Sequence, residues 1–161
     1  MPAAPPRILC VCSGNLHRSV MAAALIDAML KQAGRPALVG SAGTLGLQSR
    51  PAPPQVVEVC AELGLDVSEH LSRPLTLSVI QPSDAIIVME DQHGERVLKL
   101  DETAETRLFY LGDYADEPGD IFDPIGSPTA TFRQSRDHIL SCLQRLLPDL
   151  LRLLDLGRAR V

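Results

Sequence analysis

Aromatic side chains are scarce in this sequence: its 161 residues include two Tyr, three Phe and no Trp. Proteins that bind single-stranded nucleic acid stack bases on aromatic rings, so that class of function is disfavoured. A surplus of basic charge is missing as well. Fifteen Lys and Arg stand against 20 Asp and Glu, a formal net charge of −5, whereas a protein that grips a phosphate backbone presents a basic face. No nucleic-acid partner is expected. No apolar run approaches the roughly 18 residues of a membrane span, so no membrane partner is expected either. The opening MPAAPP has neither a basic region nor a hydrophobic segment; it reads as a short flexible tail over residues 1–6, with no secretory leader expected. The four cysteines, Cys10, Cys12, Cys60 and Cys142, form no CxxC pair. Without an export signal they are expected to stay reduced in a cytoplasmic setting, and to matter through reactivity.

What is present is ordinary globular material. Hydrophobic residues make up 45% and charged residues 22% of the chain. That composition and length predict one domain over residues 1–161 with a core of its own. Short apolar runs alternate with segments of helical period. Strands are expected at Arg7–Val11, Ala37–Ala42, Ala85–Met89 and Thr106–Tyr110. Helices are expected at Ser19–Ala33, Gln55–Leu63, Thr76–Ile80, Glu90–Leu100 and Thr129–Leu154, the last kinked or ended early near Pro148. An acidic loop runs from Gly112 to about Ser127, and Arg152, Arg158 and Arg160 form a basic terminus. Alternating strands and helices imply an α/β fold with a mostly parallel sheet.

The segment that carries chemistry is Cys12-Ser13-Gly14-Asn15-Leu16-His17-Arg18-Ser19, between the first strand and the first helix. In an open α/β sheet that loop lies at the carboxyl edge, where ligands bind. Gly14 and Asn15 are residue types that tolerate left-handed backbone, which turns successive amides inward as an anion nest. The helix beginning near Ser19 adds its positive end. Such a field favours the thiolate of Cys12, the nucleophilic form, and Arg18 offers a planar fork for two phosphate oxygens. Cys followed six residues later by Arg is weak by itself, since about 0.3 such pairs are expected by chance; the strand–loop–helix context is what lifts it. No GxxxxGK[ST] occurs, so a mononucleotide site is disfavoured.

The chain resembles the low-molecular-weight protein tyrosine phosphatases. The likeness rests on the Cys12–Ser19 loop, Ser41-Ala42-Gly43-Thr44, the Pro51-Ala52 loop, Glu62-Leu63-Gly64-Leu65, Ala85–Met89 and Asp123-Pro124. It implies a four-stranded parallel sheet flanked by helices on both faces, a cysteinyl-phosphate intermediate, and neither cofactor nor metal. On that resemblance Cys12 is the nucleophile, Arg18 the phosphate clamp and Asp123 the general acid. Ser13, Gly14, Asn15, Leu16, His17 and Ser19 bind the phosphoryl group or hold the loop, and the partner is a phosphorylated protein. Independently of the family, ester cleavage must protonate a poor leaving oxygen, and a carboxyl held beside the phosphoryl group suits that task. Asp113, Asp116, Glu117 and Asp120 share the loop with Asp123 and read mainly as solvated charge.

Three departures from the family bear on function. His17 stands where a second cysteine is frequent, and is read chiefly as a packed or solvent-facing ring, with an extra cation beside Cys12 as the alternative. Val20 replaces a usual Pro. Ile125-Gly126 follow Asp123-Pro124 where aromatics are common, leaving Leu16, Leu45 and Leu47 as candidate walls. Phosphoarginine or a small phosphoester therefore stands beside phosphotyrosine as an alternative substrate. An arsenate reductase is the lesser reading, because Ser68–Phe109 holds no cysteine to relay a disulfide. A phosphate-binding module without catalysis is disfavoured by the joint presence of Cys12, Arg18 and Asp123. Cys10, Cys60 and Cys142 are expected to be small buried hydrophobes, and His70, His93 and His138 to be surface or capping residues.

Overall fold

The run Arg7–Cys12 (β1) is apolar on both sides, and in the computed structural model it lies inside the sheet, buried from Ile8 onward. The structure describes residues 3–159; Met1 and Pro2 of the expected tail, and Arg160 and Val161 at the basic terminus, lie outside them. Arg18–Gln32 (α1) follows β1, then Leu38–Gly43 (β2), Pro54–Ala61 (α2), Leu77–Ile80 (α3), Ala85–Val88 (β3), Asp91–Leu100 (α4), Leu108–Tyr110 (β4) and Thr129–Ala159 (α5). Short 3-10 segments at 102–107 and 111–114 bracket β4. The four strands are parallel in the order β2-β1-β3-β4, so the α/β expectation holds.

Both sheet faces are covered, as continuous apolar strands require. Ile8, Cys10 and Cys12 of β1, with Ala85 and Ile87 of β3, join the core under α1, α2 and α5. Leu9 and Val11, with Ile86 and Val88, face the smaller core that Ile80, Val97 and Ala104 close. Each fully buried Leu, Ile or Val contributes about 1.5–3 kcal/mol. β1 pairs with β2 on one side and β3 on the other, so the chain reverses its direction of growth beside β1. That reversal leaves a crevice at the carboxyl ends of β1 and β3.

Several boundaries differ from expectation. Gly43 belongs to β2, not to the following loop. Thr106 and Arg107 sit in a 3-10 segment whose Asp101 cap accepts from the Thr103 amide, so β4 is only three residues long. The final helix neither ends nor breaks at Pro148 but runs 31 residues, to Ala159. Pro148 and Gln144 are exposed while Leu146 and Leu150 are buried. The carbonyl deprived of its partner thus lies on the wet side of the helix, where water satisfies it. Among the described residues no helix is long and apolar enough to cross a membrane.

Candidate active site

Cys12 ends β1 and Arg18 begins α1, so the intervening residues must reverse the chain in one tight loop. The turn is made at Asn15, whose φ of 56° lies in the left-handed region. Asn tolerates that conformation when its short side chain is hydrogen-bonded locally. Here Nδ2 donates to Ser19 Oγ at 2.9 Å and to Ser41 Oγ at 2.8 Å, while Oδ1 accepts from the Arg73 amide at 3.0 Å. The His70 Nε2–H donates to the Asn15 carbonyl at 2.7 Å. Gly14, expected to share the left-handed backbone, is not among the positive-φ glycines. An added Cβ there would meet only Leu47 and Leu16 side chains at 3.7–4.0 Å. Gly43 is the glycine the loop needs: a Cβ at that position would lie 2.7 Å from the Ser13 carbonyl and 2.9 Å from the Asn15 amide.

The Cys12 sulfur is surrounded by donors. Ser19 Oγ is 2.9 Å away and the Asn15 amide 3.3 Å. Because Ser19 Oγ already accepts from Asn15, its own proton is free to point at the sulfur. The α1 N-terminus has no side-chain cap at His17, so its first amides remain open to an anion. Burial, then the neighbouring charge of Cys12, pushes the Cys10 thiol up to about 12. Burial likewise raises Cys60, to about 11, and Cys142. These three are buried free thiols, as expected from the sequence.

Arg18 is 2% exposed, and its guanidinium is anchored from one side. Nη1 donates to Glu90 Oε2 at 2.5 Å and to the Ile121 carbonyl at 2.7 Å. Among the described residues Nη2 has only long contacts, 3.5 Å each, to Ser13 Oγ and Asp123 Oδ2. One edge of the fork is therefore committed to the protein, and the other is available to an oxyanion. Glu90 follows β3 at the carboxyl edge of the sheet. Burial opposes its charge, but hydrogen bonds from Arg18 and Gln92, with the charge of Arg18, hold the carboxyl below its ordinary range. Asp123, brought in by the loop before α5, accepts from the Ile125 amide at 3.1 Å. The loop closes where Gly112 meets Gly119, leaving no room for a Cβ on Gly112.

Cys12, Ser13, Asn15, Arg18, Ser19 and Asp123 thus meet in one place. His17 is a packed ring, its side chain 13% exposed. Its ring packs edge-on against Phe132, centroids 5.4 Å apart, with Nδ1 3.5 Å from Asp123 Oδ1. Burial holds it below the ordinary histidine value despite the pull of Asp123. Two histidines depart from the surface or capping roles expected of them: His70 braces Asn15, and His93 is fully buried. His93 Nε2 lies 2.9 Å from Ser13 Oγ. Burial and then the charge of Arg18 lower it to about 4. Glu90, His70 and His93 carried no motif that singled them out, and Ser41 stood in the motif Ser41-Ala42-Gly43-Thr44 without a role. Only the position of Glu90 directly after the AIIVM run could have flagged it.

Of the candidate walls, Leu47 lies beside Gly14, while Leu45 is largely exposed and tied to the loop by its amide, 2.9 Å from the Ser13 carbonyl. Phe122, overlooked beside Asp123, and Ile125 are likewise exposed. A concavity of about 400 Å³ is lined by Ser41, His70 and Arg73 among others, and not by Cys12. Among the described residues no group of three or more His, Cys, Asp or Glu is placed to hold a metal ion.

Comparison with known proteins fits this geometry. The family model described as low molecular weight phosphotyrosine protein phosphatase matches residues 7–155. The chain is similar to a probable low molecular weight protein-tyrosine-phosphatase, EpsP, of Ralstonia solanacearum, with 37% identity over 138 residues covering 86% of this chain and 88% of that one. It is also similar to a protein-arginine-phosphatase of Bacillus subtilis, with 31% identity over 144 residues covering 89% and 95% of the two chains. Among solved structures, Vibrio vulnificus Wzb in complex with benzylphosphonate matches with a TM-score of 0.80 and 28% identity, covering 90% of this chain and 99% of that one. The chain belongs to the low molecular weight phosphotyrosine protein phosphatase family, and so to the hydrolases of phosphoric monoesters.

Proposed function

We propose that the protein hydrolyses phosphotyrosine in protein substrates, with Cys12 as nucleophile, Arg18 as clamp and Asp123 as general acid. The observation that carries the reading is the half-committed guanidinium of Arg18, anchored on Glu90 and Ile121 with its free edge between Ser13 and Asp123. The Cys12 thiolate attacks phosphorus, the ester P–O bond breaks, and Asp123 gives its proton to the departing phenolic oxygen. Asp123 then takes a proton from water, whose oxygen attacks phosphorus. The S–P bond breaks, releasing phosphate and restoring the thiolate. Ser13, Gly14, Asn15, Leu16, His17 and Ser19 present amides and hydroxyls to the phosphoryl oxygens or hold the loop that does so. The chemistry requires reduced Cys12, which suits a cytoplasmic setting.

Phosphotyrosine is favoured over phosphoarginine by the apolar residues of the loops that meet here. Leu16, Leu45, Leu47, Phe122 and Ile125 can flank a ring, whereas a guanidinium group would leave its N–H donors facing hydrocarbon. Turnover of matched phosphotyrosine, phosphoarginine and phosphoserine peptides tests the choice. The highest kcat/KM is expected for phosphotyrosine, with Cys12→Ser inactive; faster hydrolysis of phosphoarginine overturns the substrate assignment. Asp123→Asn should cost roughly 10²–10⁴ in rate on phenolic esters, and much less on an aryl phosphate with an activated leaving group. Equal losses across the leaving-group series would remove Asp123 as the acid.

A further inference from the structure

His93 is a buried titratable side chain that the proposed mechanism does not use. It lies 80 positions from Ser13 in sequence, yet its Nε2 is 2.9 Å from the Ser13 hydroxyl. The same nitrogen is 3.7 Å from Glu90 Oε2. The other ring nitrogen, Nδ1, is buried and without a hydrogen-bond partner among the described residues. With the ring held near 4 by burial and by Arg18, its neutral form is the relevant one at pH 7.

A neutral imidazole has one N–H and one lone pair. A proton on Nδ1 would bury an orphan donor and turn the Nε2 lone pair toward the Glu90 carboxylate. A proton on Nε2 leaves only an unpaired acceptor, which buried structure tolerates better, and places an N–H between Ser13 and Glu90. The Nε2–H tautomer is therefore selected, and Ser13 Oγ must accept from it. Arg18 Nη2 approaches the same oxygen at 3.5 Å. A serine hydroxyl has two lone pairs and one proton. With His93 and Arg18 on the lone pairs, the proton is left to donate outward, toward an anion on the free edge of Arg18.

We infer that His93 is a positioning residue that fixes Ser13 as a hydrogen-bond donor to the oxyanion held by Arg18. The inference rests on the phosphatase reading above. It explains why a histidine is buried at this position in α4 with one nitrogen unpaired, and it adds a neutral donor to the cradle without adding charge.

Inorganic phosphate, titrated calorimetrically, is the probe. Ser13→Ala should weaken its binding about tenfold, the effect of losing one hydrogen bond to a charged group. His93→Leu should give a similar loss in the parent but none further in the Ser13→Ala background, and His93→Gln, which keeps an N–H donor, should recover most of it. Equal losses from His93→Leu in both backgrounds overturn the inference, as does a Ser13→Ala protein that binds phosphate like the parent. Should His93→Leu fail to fold, nitrogen NMR of the parent imidazole decides: a proton on Nε2 supports the assignment and a proton on Nδ1 overturns it. A parent that binds no phosphate overturns the functional reading, and this inference with it.

Discussion

His93 and His17 are both held below the ordinary histidine value, His93 to about 4, chiefly by burial. A histidine kept neutral by the fold binds its proton more readily in the unfolded chain. Its contribution to stability is therefore complete above pH 6.5 and is lost as the pH falls toward 4. For His93 the loss between pH 7 and pH 5 is on the order of 2 kcal/mol. The paired carboxylates Glu62 and Glu90, whose values are lowered from 4.5, act only below that range. Urea unfolding at pH 7 and pH 5 checks this: the parent should lose stability and His93→Gln should lose distinctly less. An equal loss in both would assign the acid sensitivity to other groups. The same residue marks the limit of sequence reading. Cys12 and Arg18 could be named because their chemistry is carried by residue type within one contiguous loop, and Asp123 because the Asp123-Pro124 pair resembles the family's. His93 sits in an amphipathic helix, and its meaning depends on a contact with Ser13, 80 positions away, that only the fold creates.

Among the elements, β2 does more for the site than its edge position suggests. Gly43 is aligned with Cys12 across the sheet, and its missing side chain lets the loop backbone settle on the strand. In Gly43→Ala the new methyl meets the Ser13 carbonyl and the Asn15 amide, and backbone atoms cannot swing aside as a side chain can. The variant should lose about 1–3 kcal/mol of stability. Its phosphate affinity and aryl phosphatase rate should fall at least tenfold, a value we take from the cost of misplacing a catalytic group. Denaturation and steady-state kinetics on the same preparation measure both, and unchanged kinetics would show that the loop yields freely. Strand and helix order were legible from the apolar runs, because a sheet buried on both faces leaves a plain signal in segments such as Ala85–Val88. Less was legible where one element forgives a break, as α5 forgives Pro148 on its wet side, or where a 3-10 turn started by the Asp101 cap runs on into an expected strand.

At the scale of the whole molecule, the site is a cross-link between distant parts of the fold. An oxyanion bound only by the native state stabilises it by RT ln(1 + [L]/Kd), about 2.7 kcal/mol at a hundredfold excess over Kd. For a chain of this length that corresponds to roughly 5–10 °C in Tm. Vanadate or phosphate should produce such a shift in the parent, and Arg18→Ala should abolish most of it; a full shift in the variant would place the anion elsewhere.

The anchoring of Arg18 also sets an order of events during translation. The proposed nucleophile is made early, at position 12, whereas the guanidinium of Arg18 finds its two anchors only at Glu90 and Ile121, and the proposed acid follows at Asp123. A nascent chain that has not yet delivered this last loop carries a cysteine with no clamp and no proton donor. On the proposed roles, the anchored clamp and the acid both wait for residues 121–123, so the complete site is assembled only late in synthesis.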